Sequence, residues 1–149
     1  MKKNEIKAAL EALKKIKMPA IEDKALRNRI ITDHLTLVRA QKRYEKDVHD
    51  LDTVHMEAYA EERQKVTDLQ REMQLETNPV RQAEIAREIE THKDLFAAVR
   101  DFNKAVAALG EEEVAIEGVP EGAFLEELQK QDFDLGQIEA LEPMLITES

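Results

Sequence analysis

The sequence predicts a mostly α fold: an elongated, coiled-coil-like antiparallel helical hairpin with a short N-terminal helix before it and a small α+β segment after it. Three observations predict this. Between Pro19 and Pro79 there is neither glycine nor proline, so nothing local stops a helix there. Across that stretch Ile30, Leu37, Tyr44, Leu51 and Ala58 recur every seven residues, and Val48, then Val66, Leu69 and Met73, fall at steps of three and four. That is the period of a helical seam. Aromatic residues make up only 4% of the chain and Trp is absent, too little bulk for a thick globular core but suited to helices that each bury a narrow stripe.

By length the 149 residues form one domain, read in three parts. Residues 1–18 are a basic amphipathic helix, with Ile6, Leu10, Leu13 and Ile16 on one face. Pro19 ends it, because the residue before proline is pushed out of the helical region. Residues 21–109 are the hairpin. Glu22 or Asp23 opens its first arm. About 50 helical residues would extend about 75 Å, so the molecule is expected to be elongated or the arm kinked. The apolar stripe thins between Glu57 and Lys65, which places any bend there. The turn lies at 77–79, where Asn78 is a good N-cap and Pro79 suits the first helical position. So short a connection makes the second arm antiparallel. That arm carries Ile85, Ile89, Leu95, Phe96, Val99, Phe102, Val106 and Leu109, and stops at Gly110. In residues 111–149, Val114, Ile116 and Val119 predict a short strand. Phe124 to Leu128 predict a turn or two of helix. Asp134 caps a last helix bearing Leu135, Ile138 and Leu141, which Pro143 closes.

The net charge of −10 is unevenly placed. From Glu111 on there are twelve acidic residues against one basic, Lys130, whereas Lys2, Lys3, Lys7, Lys14, Lys15 and Lys17 crowd the start. A chain this acidic is not expected to bind nucleic acid. The two ends are instead expected to meet, steered by charge and held by Ile6, Leu10 and Leu13 against Ile116, Phe124, Leu141 and Ile146. The second arm covers only the later half of the first. Ile30, Leu37, Tyr44 and Val48 are therefore left as a candidate surface for another subunit, an exposed apolar stripe through which the chain is expected to self-associate.

No chemistry of a known type is visible. With no cysteine there is no disulfide, thiolate nucleophile or Cys-based zinc site, and an intracellular setting fits. No metalloprotease, nucleophile-elbow, P-loop or dinucleotide motif occurs. His49 and His55 are six apart and do not share a face as an i, i+4 metal pair would. His49 and Asp52 face one way but offer two ligands only. Adjacent carboxylates such as Glu61 and Glu62 point about 100° apart on a helix, and Tyr44 and Tyr59 read as seam fillers. No cofactor, metal or small-molecule substrate is expected. The N-terminal lysines precede no apolar run of the kind a signal peptide needs, and no stretch approaches the ~18 apolar residues of a membrane span.

Both ends carry a likeness. Ile6-Lys-Ala-Ala-Leu-Glu-Ala-Leu with Met18-Pro-Ala and Ile30, together with Glu113-Val-Ala-Ile116 and Leu141-Glu-Pro-Met-Leu-Ile146, resembles a group of small phage-encoded proteins of unknown function. Those proteins open on a short amphipathic helix and a Leu-Pro break before a long helix, and close on a Glu-Val-x-Ile strand and a last helix. Pro143 departs from their usual ending. The resemblance spans about a third of the chain and brings no catalytic residue with it. It implies a non-enzymatic structural or assembly protein of a phage or prophage, in the bacterial cytoplasm or the virion, working through protein contacts as a homo-oligomer. The alternative is a host adaptor or chaperone-like module that uses the hairpin as a clasp.

Overall fold

A computed structural model of the chain describes residues 1–147. Seven α-helices follow one another among them: α1 (Ile6–Leu13), α2 (Lys24–Met56), α3 (Ala60–Leu75), α4 (Pro79–Glu90), α5 (Lys93–Glu111), α6 (Glu121–Lys130) and α7 (Leu135–Leu141). Two very short strands, β1 (Val119–Pro120) and β2 (Leu145–Ile146), pair in parallel with Val119 opposite Leu145. The chain divides into two compact units. One is Met1–Lys46 with the residues from Ala108 on; the other is Asp47–Ala107.

The predicted two-armed hairpin is not the fold. The first unit is a bundle in which α1 packs along α7, and α1, α2, α6 and α7 fill one core. The seam of α2 needs an apolar cover, and the two ends of the chain supply it. Ile6, Ala9 and Leu13 come from one end and Phe124, Leu128, Leu141 and Met144 from the other, around Leu26, Ile30 and Leu37. The first arm also breaks, at a 3-10 turn over Glu57–Tyr59, within the thinned part of the stripe. The second arm breaks at Thr91 and His92, where the Thr91 hydroxyl donates to the Glu88 carbonyl at 2.6 Å.

Local signals account for most helix ends. Asp23 opens α2, its Oδ1 accepting from the amides of Ala25 (3.0 Å) and Leu26 (3.2 Å). Asn78 Oδ1 accepts from the Val80 amide at 3.0 Å with Pro79 in the first turn of α4. Asp134 and Gln137 form a reciprocal capping pair at α7 (2.8 and 3.1 Å). α1 stops at Leu13 rather than reaching Pro19, and a 3-10 turn over Met18–Ala20 follows. Of the strand expected over Val114, Ile116 and Val119, only Val119 lies in one, at the start of β1. Gly118 makes its tight approach possible: its φ is +83°, and an added Cβ would collide with Ile146 Cγ2.

In the second unit α3 and α4 lie antiparallel across the Thr77 turn. Arg81 Nη2 is 2.9 Å from Glu72 Oε1, and His92 Nδ1 is 2.7 Å from Glu62 Oε1. Met56, Val66 and Leu95 form its core, with Tyr59, Ile89, Val99 and Phe102 packed against them. Among the described residues no helix is long and apolar enough to cross a membrane.

Candidate functional site: an apolar groove in the first unit

The ends of the chain meet inside the first unit. The Met1 ammonium donates to the Val114 carbonyl (3.3 Å), the Val114 amide returns a bond to Met1 (2.7 Å), and the Lys3 amide donates to Glu112 (2.9 Å). Lys2 Nζ lies 2.7 Å from Glu111 Oε2, and Lys3 Nζ lies 2.6 Å from Glu112 Oε2. The Glu111 carboxylate raises the Lys2 pKa and is itself held below the usual carboxylate range by Lys2. At the far end of α1 the Lys17 amide donates to Gln131 Oε1 at 2.8 Å, and Gln131 Nε2 donates back at 3.2 Å. Glu148, counted in the acidic segment, lies outside the described residues.

This arrangement decides which sequence candidates are surfaces. Ile6, Leu13, Ile30 and Leu37 are buried in one core, and Leu10 is partly buried against it. Tyr44 is half-buried, and a Cβ built on Gly110 would lie 3.3 Å from its hydroxyl. Val48 is half-buried in the second unit. The stripe expected to await another subunit is thus covered within the chain at Ile30 and Leu37.

The exposed apolar face of α2 lies one residue round from the seam. Ile31 is 47% exposed and Leu35 49%. They stand one turn apart on the same face, and with Met18 they wall a groove of about 250 Å³. Leu13 and Ile30 floor it, and Lys14 and His34 complete the lining. Sequence reading missed Ile31 and Leu35 because the heptad seam drew attention to Ile30 and Leu37. The visible signal was a second apolar pair, Ile31 and Leu35 at i, i+4, on the side of the helix away from the buried Leu26, Asp33 and Leu37.

One feature of the seam is not apolar. Asp33 falls between Ile30 and Leu37 on the buried face and is 0% exposed. No donor reaches either of its carboxylate oxygens with full hydrogen-bond geometry. Burial pushes its pKa above the ordinary value of 3.8; the backbone amides of Gly118 and Glu117 and the Arg29 charge pull it back in part, while the Glu117 carboxylate adds to the rise. Asp33 therefore lies near the backbone of Glu117 and Gly118, in the loop that leads into β1.

The histidines are dispersed. His34 lines the groove, His92 bonds Glu62, and the His55 ring lies 6.5 Å from that of Phe102. Asp52, considered with His49 as a ligand pair, lies 3.6 Å from Arg63 instead. Among the described residues no three His, Cys, Asp or Glu side chains gather as metal ligands would. No known family, curated protein or solved structure matches this chain.

Proposed function

We propose that the chain is a non-enzymatic structural or assembly protein that acts through protein contacts, and that the groove between α1 and α2 is where it binds. The observation that carries this is the pair Ile31 and Leu35, large aliphatic side chains left about half exposed above a floor of core residues. An apolar recess with a polar rim is the usual form of a docking site for a protein side chain. The likeness of both chain ends to small phage proteins supports a phage or prophage assembly role. The adaptor alternative pictured a two-armed hairpin as its clasp, and the bundle of the first unit lends that picture no support.

Site-specific photo-crosslinking tests the reading. A benzophenone side chain in place of Leu35 is expected to give a discrete protein adduct in the cell that expresses the chain. The same group in place of Val54, exposed in the second unit, is expected to give none. Adduct formation should vanish when Ile31→Asp is added. Equal labelling from both positions, or none from Leu35, overturns the reading.

A further inference from the structure

The most exposed large apolar side chain among the described residues is Leu135, 84% exposed at the first position of α7. The sequence placed it on the last helix with Ile138 and Leu141. It faces water because the Asp134 cap starts the helix one residue before it, and Leu141 and Ile138 take the core side. An aliphatic side chain at a rigid, capped helix start is a fixed protrusion. Its surroundings are acidic: Asp132 and Asp134 precede it, and Glu139 follows one turn on, exposed.

The groove has the opposite character. It is concave, apolar in lining and bordered by Lys14 and His34, with the exposed Lys15 and Lys17 close by in sequence outside the lining. Its volume of about 250 Å³ has room for one leucine side chain, since a cavity of about 150 Å³ already holds a benzene ring. An apolar knob on a molecule whose surface also carries a matching recess joins copies of that molecule to one another. Charge complementarity, acid around the knob and base around the recess, then selects the orientation of the encounter.

We propose that the groove of one chain receives Leu135 of a second copy. The inference rests on reading the groove as a protein-docking site and names its occupant. One side chain and its rim bury far less than the roughly 1,200–2,000 Å² of a stable interface. The pairing is therefore weak and concentration-dependent, as reversible assembly requires.

The absence of cysteine makes a direct test possible. Leu35→Cys and Leu135→Cys are made in separate chains; both positions face water, so both variants fold. The two are mixed at about 100 µM, where contacts much weaker than 1 µM are populated, and exposed to a mild oxidant. Mixed disulfide dimers are expected to form at least about tenfold faster than homodimers of either variant alone, a tenfold preference being about 1.4 kcal/mol. Adding Lys14→Glu to the Leu35→Cys chain should slow the mixed reaction, and Glu139→Lys in the Leu135→Cys chain should restore it. Equal rates in mixed and single-variant samples overturn the proposal. If the rates are equal while photo-crosslinking from Leu35 still yields an adduct with another protein, pairing of copies falls and the docking reading stands. If both experiments fail, both fall.

Discussion

The Lys3 ammonium nitrogen stands 2.6 Å from Glu112 Oε2, and the backbone amide of the same lysine donates to the Glu112 carbonyl at 2.9 Å. One residue near the start of the chain and one that closes a helix near its end are thus joined twice, by charge and by main chain. The charge is the weaker part. Glu112 is well exposed, and an exposed ion pair contributes about 1 kcal/mol or less. Lys3→Ala is expected to lower stability by no more than that. Ile6→Ala removes a fully buried side chain from the same junction and should cost about 2–5 kcal/mol. Urea unfolding of the two variants checks the ratio; a Lys3 effect as large as the Ile6 effect would show that the ends are held electrostatically.

Asp33 gives a pH dependence of unusual sign. Its folded-state pKa lies above the ordinary 3.8, chiefly through burial, so the folded chain binds this proton more tightly than the unfolded chain. Asp33 is therefore least costly below about pH 3.8. As pH rises from there to the folded-state value, the buried charge progressively destabilises the fold, and the penalty is constant above it. Asp33→Asn keeps an acceptor for the Gly118 and Glu117 amides without the charge. The stability of Asp33→Asn minus that of wild type should rise as pH increases from about 3.8 and level off. Urea titrations at several pH values measure it. A difference that stays flat or falls would mean that Asp33 is ionised and compensated within the fold.

Two glycines should respond oppositely to alanine. Gly118 has a φ of +83°, and its Cβ position is occupied by the Ile146 side chain and the Met144 carbonyl. Gly118→Ala is expected to destabilise by more than about 1 kcal/mol, from the left-handed backbone and from the displaced β2. Gly122 lies in the first turn of α6 with nothing within 4 Å of its Cβ position. Gly122→Ala should stabilise by about 0.4–1 kcal/mol, by restricting the unfolded chain. Thermal unfolding of both variants is the check, and a loss at Gly122 would mean that alanine is not accommodated in the first turn of α6.

The caps were legible in the sequence because their chemistry is local: Asp23, Asn78, Pro79 and Asp134 each act within three residues of their partners. The helical character of residues 24–56 followed from a period that needs no knowledge of the partner. What was not legible is which element fills a seam. A heptad at Ile30 and Leu37 is satisfied equally by a hairpin arm, a second subunit or the two ends of the same chain, and only the last occurs. The charge split between Lys2–Lys17 and Glu111 onward pointed to that solution. The groove was missed for a related reason. With α1 and α7 on the seam, Ile31 and Leu35, which lie off it, are left exposed on α2. Asp33, a polar residue at a seam position, was the other readable sign, because a carboxylate there needs backbone donors from a neighbouring element.

Removing residues 111–149 tests how the first unit is held together. This segment supplies Phe124, Leu128, Leu141 and Met144, all buried to within about 1% of full burial, and the backbone partners of Met1 and Lys3. Without it, Ile6, Leu13, Ile30 and Leu37 lose the other half of their core. Each large apolar side chain returned to water costs about 1.5–3 kcal/mol, so four such losses are comparable to the whole stability of a small domain, about 5–15 kcal/mol. Amide exchange protection across residues 6–37 should therefore collapse in the truncated chain, with aggregation through the uncovered α2 face. The second unit has its own core at Met56, Val66 and Leu95 and its own cap at Asn78, none of which involves the deleted residues. Amides within residues 60–90 are expected to keep measurable protection after the first unit has lost it. Loss of protection in both regions together would show that the second unit cannot hold its structure once the first is unfolded. Retained protection at residues 6–37 would mean that α1 alone covers the seam.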